Sequence, residues 1–529
     1  MTTDAESPDR GHRPVKGDTV TIRFRMIERS CASLEEFFAI VWSERFRYYG
    51  EHPVSRELPF SEAARIIETK NNREGWREDW GLYLTSSAPG TKHPYQNGWC
   101  GGLISTLPLL MSAEAISRKR ARQSIQTVFE HGMAEGPLPY GRLNGEGAWE
   151  AEFAQDERNP HSQRWTLTRR HGDVLYFMLK QVLWMESEGE TVPALWHERL
   201  ETMAEHFDHL WRRHGQFGQF LDQHSGEIAV GGSTSGAILP AALILAGRYF
   251  KRDEFLETAE AAGRHYWEEH LARGLTTSGP GDAMQNPDSE SAAALVESFV
   301  ALAEQNGSSQ WWERAAAAAR FFGTWVMPYD YPFPEGSEFG RLQMQSRGTV
   351  FANTQNKHSA PGICTHSGEG LFRLFRATGD PGFLHLIRDI AGTLPQYLSR
   401  EDRPIRTKDG RVSHPGWINE RVNTSDWDDK LGEIFYGPCW CEVSLSLCSV
   451  ELPGIYARTD SRLLAALDHV TCRWTVAGEI EIANPTGFPA EVRVMVESEE
   501  TVRKPLPVNF AAELPLVRIR AGERAVFPV

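Results

Sequence analysis

The chain is short of three things. Seven cysteines among 529 residues, odd in number and widely scattered, do not make a disulfide framework and point to reduced thiols. No stretch approaches the roughly 18 to 20 uninterrupted apolar residues of a membrane-spanning helix. The opening "MTTDAESPDRGHRPVKGD" has no apolar segment of the secretory kind. A cytoplasmic protein without a membrane partner is expected. Positive charge is scarce as well: 56 Lys and Arg against 71 Asp and Glu leave a net charge of −15. That argues against a nucleic-acid partner, because such proteins concentrate basic residues to release counterions. The one basic cluster, "SRKRARQ" at 117–123, reads as a solvated helix face.

What is abundant is tryptophan. Many of the 17 stand beside glycine, proline, asparagine or histidine, which places them in loops. Such residues suit stacking on the apolar faces of sugar rings while neighbouring polar groups take the hydroxyls. The alternative is that they plug the ends of a large helical barrel.

Residues 1–18 are polar and are expected to be a disordered tail. "TVTIRFRM" then alternates Val20, Ile22, Phe24 and Met26 on one face, the pattern of a single strand. Helices follow. In "DVLYFMLKQVLWM" the residues Leu175, Met178, Leu179, Val182 and Leu183 take the positions of a core-facing helix. Apolar helices at 172–188, 233–249, 289–305 and 366–378 are each followed by a short turn ("EGETVP", "FKRD", "NGSS", "TGDP") and a second helix. These are helical hairpins, spaced too widely and irregularly for a tetratricopeptide or ankyrin solenoid. With hairpins near 34–70 and 101–132 and a last helix at 439–451, about six and a half pairs result. The count suggests a mainly α chain, a closed (α/α)6 toroid of paired helices over 19–465. Beyond it, residues 466–529 alternate in short runs split by Gly and Asn-Pro, which reads as a small C-terminal β-sandwich. It would cover one end of the toroid or mediate assembly into a homo-oligomer.

In such a toroid the loops before the inner helices converge on one rim, so chemistry is expected there. Those loops hold most of the exposed-looking His, Trp, Asn, Asp and Glu. "RRHGDVLYFMLKQ" resembles the helix start of the six-hairpin glycosidases, particularly the unsaturated glucuronyl and rhamnogalacturonyl hydrolases. "QSRGTVFANTQNKHSAPGICTHSGEGLFRLFRATGD" and "WINERVNTSDWDDKLGEIFYGPCWCEVSLSLCSVELPGIYA" resemble segments of the bacterial six-hairpin proteins of glycoside hydrolase family 154. The resemblance implies β-glucuronidase-type activity on an oligosaccharide, with no cofactor and no metal. It puts the catalytic acid/base on Asp173, whose ordinary role after Gly172 would be a helix N-cap. Glycoside hydrolysis by the two-carboxylate route needs a partner for it. Glu290 is the first choice, with Asp288 and Glu369 behind it; for a glutamate in a helix's first turn the plain alternative is compensation of the helix dipole.

A uronic acid needs a cation for its own carboxylate. Arg421 is the best-placed guanidinium, with Arg169 and Arg170 beside Asp173. His171, His358 and His366 are candidates for sugar hydroxyls, or else for contacts between loops, and Asp288 is a further substrate-binding candidate. Trp99 and Trp440 are the expected stacking platforms. A second resemblance, to the zinc-dependent β-L-arabinofuranosidases, would nominate Cys364, Cys439 and Cys441 as thiolate ligands. Against it, Gly362 stands where that family has a glutamate, Trp440 splits the cysteine pair, and Cys-x-Cys is not the usual zinc spacing. A uronate lyase, a sugar epimerase with paired histidines, and a non-catalytic carbohydrate-binding protein are further readings of the same toroid. Cys441 and Cys448, seven apart, are expected on one helix face with Cys448 in the core. Trp440 and Glu442 are expected at the rim.

Overall fold

The structure is a computed structural model that describes residues 13–50, 56–88, 90–155, 157, 159–281, 284–424 and 431–529. In chain order its helices are α1 (Leu34–Tyr49), α2 (Phe60–Lys70), α3 (Thr106–Leu110), α4 (Ala115–His131), α5 (Thr168–Ser187), α6 (Ala194–His214) and α7 (Leu239–Phe250). They continue as α8 (Asp253–Glu269), α9 (Glu290–Asn306), α10 (Ser309–Gly323), α11 (Glu338–Arg341), α12 (Glu369–Thr378), α13 (Pro381–Thr393) and α14 (Trp440–Glu451).

The arrangement is a helical toroid. Helices α3, α5, α7, α9, α12 and α14 form an inner ring, and α4, α6, α8, α10, α13 and α2 back them from outside. Composition explains which helices lie inside. Eight of the first nine residues of "LPAALILAGRYF" in α7 are apolar and the ninth is glycine, and all nine are buried; "ESAAALVESFVALA" in α9 uses Ala and Ser to bring neighbouring helices close. The outer helices are two-faced, with Trp196, Leu200, Met203 and Phe207 of α6 buried and its charges outward. The turns close as their residues require. Gly379 ends α12 with φ 70°, a left-handed value that glycine takes without steric cost. Asp380 then accepts the Gly382 N–H at 2.9 Å as the cap of α13, with Pro381 in its first position.

Three sequence expectations change. The expected hairpin at 34–70 does not form: α2 pairs with α14, and α1 lies outside, with Phe38 against Phe321 of α10 and Trp42 against Phe383 of α13. Residues 20–26 form no strand and are exposed, since no neighbouring strand supplies hydrogen bonds. The basic cluster is only half solvated, because Arg118, Arg120 and Arg122 of α4 bond to Ser112, Asn72 and Glu190.

The β-rich part begins before residue 466. Strands β1 (Ile455–Arg458), β2 (Leu464–Ala466), β3 (Thr471–Trp474), β4 (Ile480–Ala483), β5 (Ala490–Glu497), β6 (Leu516–Ile519) and β7 (Arg524–Phe527) form two sheets. One has the order β2-β1-β5-β6, with β1 and β5 parallel, and the other the order β3-β4-β7. Ile455, Ile480, Ile482, Val492 and Val494 from both sheets share one apolar cluster. This part meets the toroid at the far ends of the inner helices. Asn509 donates to the Lys180 carbonyl at 2.8 Å, Arg373 to that of Pro507 at 2.8 Å, and Arg376 pairs with Glu497 at 2.7 Å. The opposite mouth, where the inner helices begin, is left to the loops.

Candidate functional site

At that mouth the first turns of α5, α9 and the segment entering α12 meet around one guanidinium. Arg169 is 1% exposed. Its Nη1 donates to Glu290 Oε2 at 2.5 Å and its Nε to Asp173 Oδ2 at 3.2 Å; Nη2 reaches the Cys364 carbonyl at 3.3 Å and Thr365 Oγ1 at 3.4 Å. The fixed fork of the guanidinium therefore keeps the carboxylate oxygens of Asp173 and Glu290 within about 8 Å of each other, a span that covers both two-carboxylate geometries of glycosidases.

The two carboxylates are not equivalent. Asp173 has no exposed surface, and burial pushes its carboxyl up to about 6 although Arg169 pulls the other way. Glu290, the first residue of α9, is 8% exposed and takes the shorter bond. Helix α5 begins at Thr168, so Asp173 lies in its second turn and is not the N-cap that its position after Gly172 suggested. Gly279 packs against Asp288, Glu290 and Arg169, and Gly281 against Leu167 and Trp99.

Asp288 is close by, with its oxygens already occupied. Oδ1 accepts the Ser291 N–H at 2.6 Å and Oδ2 the Gly279 N–H at 3.1 Å. It thereby caps α9 and ties the loop to it. Burial raises its carboxyl against those bonds. Arg170, on the next position of α5, is held by Glu152 at 2.6 and 2.7 Å and donates to the Asn97 carbonyl at 2.9 Å. Its guanidinium lies 5.2 Å from the Trp99 ring. Gly98 makes this possible, since a Cβ there would come 2.2 Å from the Arg170 carbonyl oxygen. Both arginines expected as spare cations are thus committed to protein carboxylates.

His171 and His366 are buried and neutral. His171 Nε2 is 2.8 Å from Thr166 Oγ1, and burial, then Arg170, push its imidazole down to about 3. His366 lies 5.7 Å from the Phe177 ring and falls to about 3 through burial and Arg169. His171 Nδ1 and His366 Nε2 have no hydrogen-bond partner among the described residues. His358 is buried on the rim with Nδ1 2.9 Å from its neighbour's carbonyl, Ser359 O. Ser359 bridges to Val422, the residue after Arg421, whose guanidinium lies 4.0 Å from the Phe435 ring. Trp440 is buried at the start of α14.

Helix α14 orders its cysteines as expected, with Cys448 in the core and Cys439 just before the helix. Glu442 does not face the rim: it turns to α2, 3.4 Å from Lys70. Burial raises the Cys364 and Cys441 thiols and takes Cys439 up to about 12. Among the described residues no group of three or more His, Cys, Asp or Glu side chains is placed to hold a metal ion. Glu152 and Thr365 were not recognised from the sequence, because only the folded loops reveal that they hold Arg170 and Arg169.

The toroid has known counterparts. The chain is similar to a D-mannose isomerase (TM-score 0.50, 8% identity, 73% of this chain and 96% of that one). It is similar to the same degree to the cellobiose 2-epimerase of Bacillus thermoamylovorans B4167 (TM-score 0.50, 9% identity, 73% and 97%). An unsaturated glucuronyl hydrolase specific for heparin overlays at a TM-score of 0.45 with 12% identity over 74% and 95%. At such identities the first two establish the helical toroid and nothing beyond it. No protein-family model and no curated sequence matches the chain. No helix among the described residues is long and apolar enough to cross a membrane.

Proposed function

We propose that this protein is a glycoside hydrolase acting on a uronic-acid-containing oligosaccharide, β-glucuronidase-like as the resemblance to glycoside hydrolase family 154 implies. Asp173 is the proton donor and Glu290 the second carboxylate. The observation that carries the reading is the single buried guanidinium shared unequally by two acids. Arg169 gives its shorter bond, 2.5 Å, to Glu290 and its longer one, 3.2 Å, to Asp173, and burial pushes the Asp173 carboxyl up to about 6. A carboxyl that keeps its proton toward neutrality beside a second carboxyl is what protonation of a leaving oxygen, together with attack on or activation of water at the anomeric carbon, requires. Trp99 and Trp440 serve as stacking surfaces, His171, His358 and His366 as partners for sugar hydroxyls, and Arg421 as partner for the uronate. Asp288 acts through the loop it ties to α9.

One observation favours a second reading. Two buried histidines, His171 and His366, each with a ring nitrogen unpartnered among the described residues, are the residue type that moves a proton to and from a sugar carbon in an epimerase; burial holds both imidazoles down to about 3, so this reading requires bound sugar to raise their basicity. The test is a panel of aryl glycosides, glucuronides first, and free sugars, with wild type and Asp173→Asn. Release of the aryl group by wild type and its loss in the variant support hydrolysis. A new sugar isomer without cleavage supports the second reading, and cleavage unchanged in Asp173→Asn removes the site assignment.

A further inference from the structure

Arg169 and Arg170 are neighbours at the start of α5, each beside a carboxylate, and they hold it differently. Arg170 takes Glu152 with Nε and Nη2 together, at 2.6 and 2.7 Å, the two-pronged grip that the planar fork favours. Arg376 on Glu497 and Arg373 on Glu369 use the same pair of nitrogens. Arg169 does not. Only its Nε meets Asp173, at 3.2 and 3.4 Å, while Nη2, the prong that would complete the grip, donates to the Cys364 carbonyl at 3.3 Å and to Thr365 Oγ1 at 3.4 Å.

The segment that takes this prong is built against its own preference. Ile363 to His366 form a tight turn, closed by the His366 N–H on the Ile363 carbonyl at 3.1 Å. Thr365, its third residue, has φ 58°, a left-handed value that suits glycine or asparagine and that a β-branched residue rarely takes. Glycine would relieve the backbone but has no hydroxyl. Thr365 is fully buried and its Oγ1 donates to the Cys364 carbonyl at 2.8 Å, which leaves the oxygen's lone pairs to accept from Arg169. Strain retained at a buried position beside two acids points to a function for the side chain held there.

We propose that Thr365 is a positioning residue: by engaging Nη2 it keeps Arg169 from closing a two-pronged grip on Asp173, and so leaves Asp173 its proton for the leaving oxygen. The inference rests on the reading of Asp173 as proton donor. The neighbouring pair illustrates the full grip. Burial acts to raise both acids, yet Arg170, then Arg142 and His93, hold Glu152 below its ordinary value, whereas Asp173 rises to about 6. The other charged or titratable groups around Arg169 and Asp173 are Arg170 from α5, Glu290 and Asp288 from α9, and Cys364 and His366 from the turn. A change of the Thr365 side chain leaves all of them in place.

The test is an infrared titration of the full-length chain without substrate, following the Asp173 carboxyl band, which is identified by its absence in Asp173→Asn. Thr365→Val should free an Nη2 proton for Asp173 and lower its midpoint by about one pH unit, and the basic limb of kcat/KM on a glucuronide should move down with it. Thr365→Ala deletes the same hydroxyl without the β-branch and should act alike, which keeps the test standing if the valine variant does not fold. Thr365→Ser keeps the hydroxyl and should titrate as wild type. A role in packing alone would lower stability or turnover and move neither the band nor the limb. A midpoint unchanged or raised in the variants that lack the hydroxyl overturns the proposal, as does a serine variant that shifts with them. Absence of glucuronide cleavage would instead overturn the hydrolase reading, and the substrate-free titration would still decide what Thr365 does to Asp173.

Discussion

Two buried ionic centres share helix α5. At its rim end Arg169 stands between Asp173 and Glu290; about three turns on, roughly 16 Å along the axis, Lys180 stands between Glu369 and Glu451. The deeper centre is heavily compensated. Lys180 reaches Glu369 at 2.6 Å and also bonds Glu451, Arg373 grips Glu369 at 2.6 Å, and Ser367 donates to Glu451 at 2.6 Å. Burial alone would raise Glu369, but the two cations hold it well below the ordinary carboxylate range. The rim centre gives two acids one cation, and the acid with the longer bond rises to about 6. The first arrangement joins α5, α12 and α14 and holds Glu369 charged, although burial raises Glu451 in the same cluster. The second leaves a proton exchangeable near neutrality, which is the property chemistry needs.

This contrast can be broken by exchanging the consequences of mutation. Asp173→Asn should lower kcat on a cleavable glucuronide by about three orders of magnitude while leaving the melting temperature nearly unchanged. Lys180→Met should do the reverse in kind. It strands Glu369 and Glu451 without their shared cation and should cost about 3–5 kcal/mol of stability in urea unfolding. If Lys180→Met left stability intact and abolished turnover, the division between the two centres would fail.

The legibility of the sequence followed the same division. Repeating apolar patterns, as in 172–188 and 289–305, are averages over many residues, and the ring of hairpins could be read from them. Asp173 and Glu290 could be nominated, but their pairing through Arg169 could not, since it joins positions 121 residues apart through loops with no period. The strand expected at 20–26 failed for a related reason: alternation marks a face in search of a partner and does not supply one. Pairing of α2 with α14 was hidden because adjacency in sequence favoured α1.

Finer effects sharpen the comparison. Because Arg169 lowers Asp173, Arg169→Met should move the basic limb of the kcat/KM profile from about pH 6 to higher pH, read in residual activity. A structural role alone would lower activity without moving the limb. The smallest effect concerns Glu297, which accepts the Gly370 N–H at 2.9 Å and is raised to about 8 by burial and by Glu369. Its folded value lies above the ordinary 4.5, so the folded state keeps a proton that the unfolded chain has lost. Stability should therefore fall as pH rises from about 4.5 to about 8. Glu297→Gln should flatten that slope and raise the melting temperature at pH 8, by about 1–2 kcal/mol in free energy, in a pH series of thermal unfolding.

The pairing of α2 with α14 also sets a timetable. Lys70 and Glu442, which meet across it, are 372 residues apart. At ribosomal speeds of about 5–20 residues per second, α2 leaves the ribosome on the order of half a minute before the helix that covers it exists. Through that interval Phe60, Ala63 and Ile67, buried in the finished ring, have no lasting neighbour. The nascent chain is a ring missing its clasp, and its yield in a cell should depend on whatever shields that face until the last inner helix arrives.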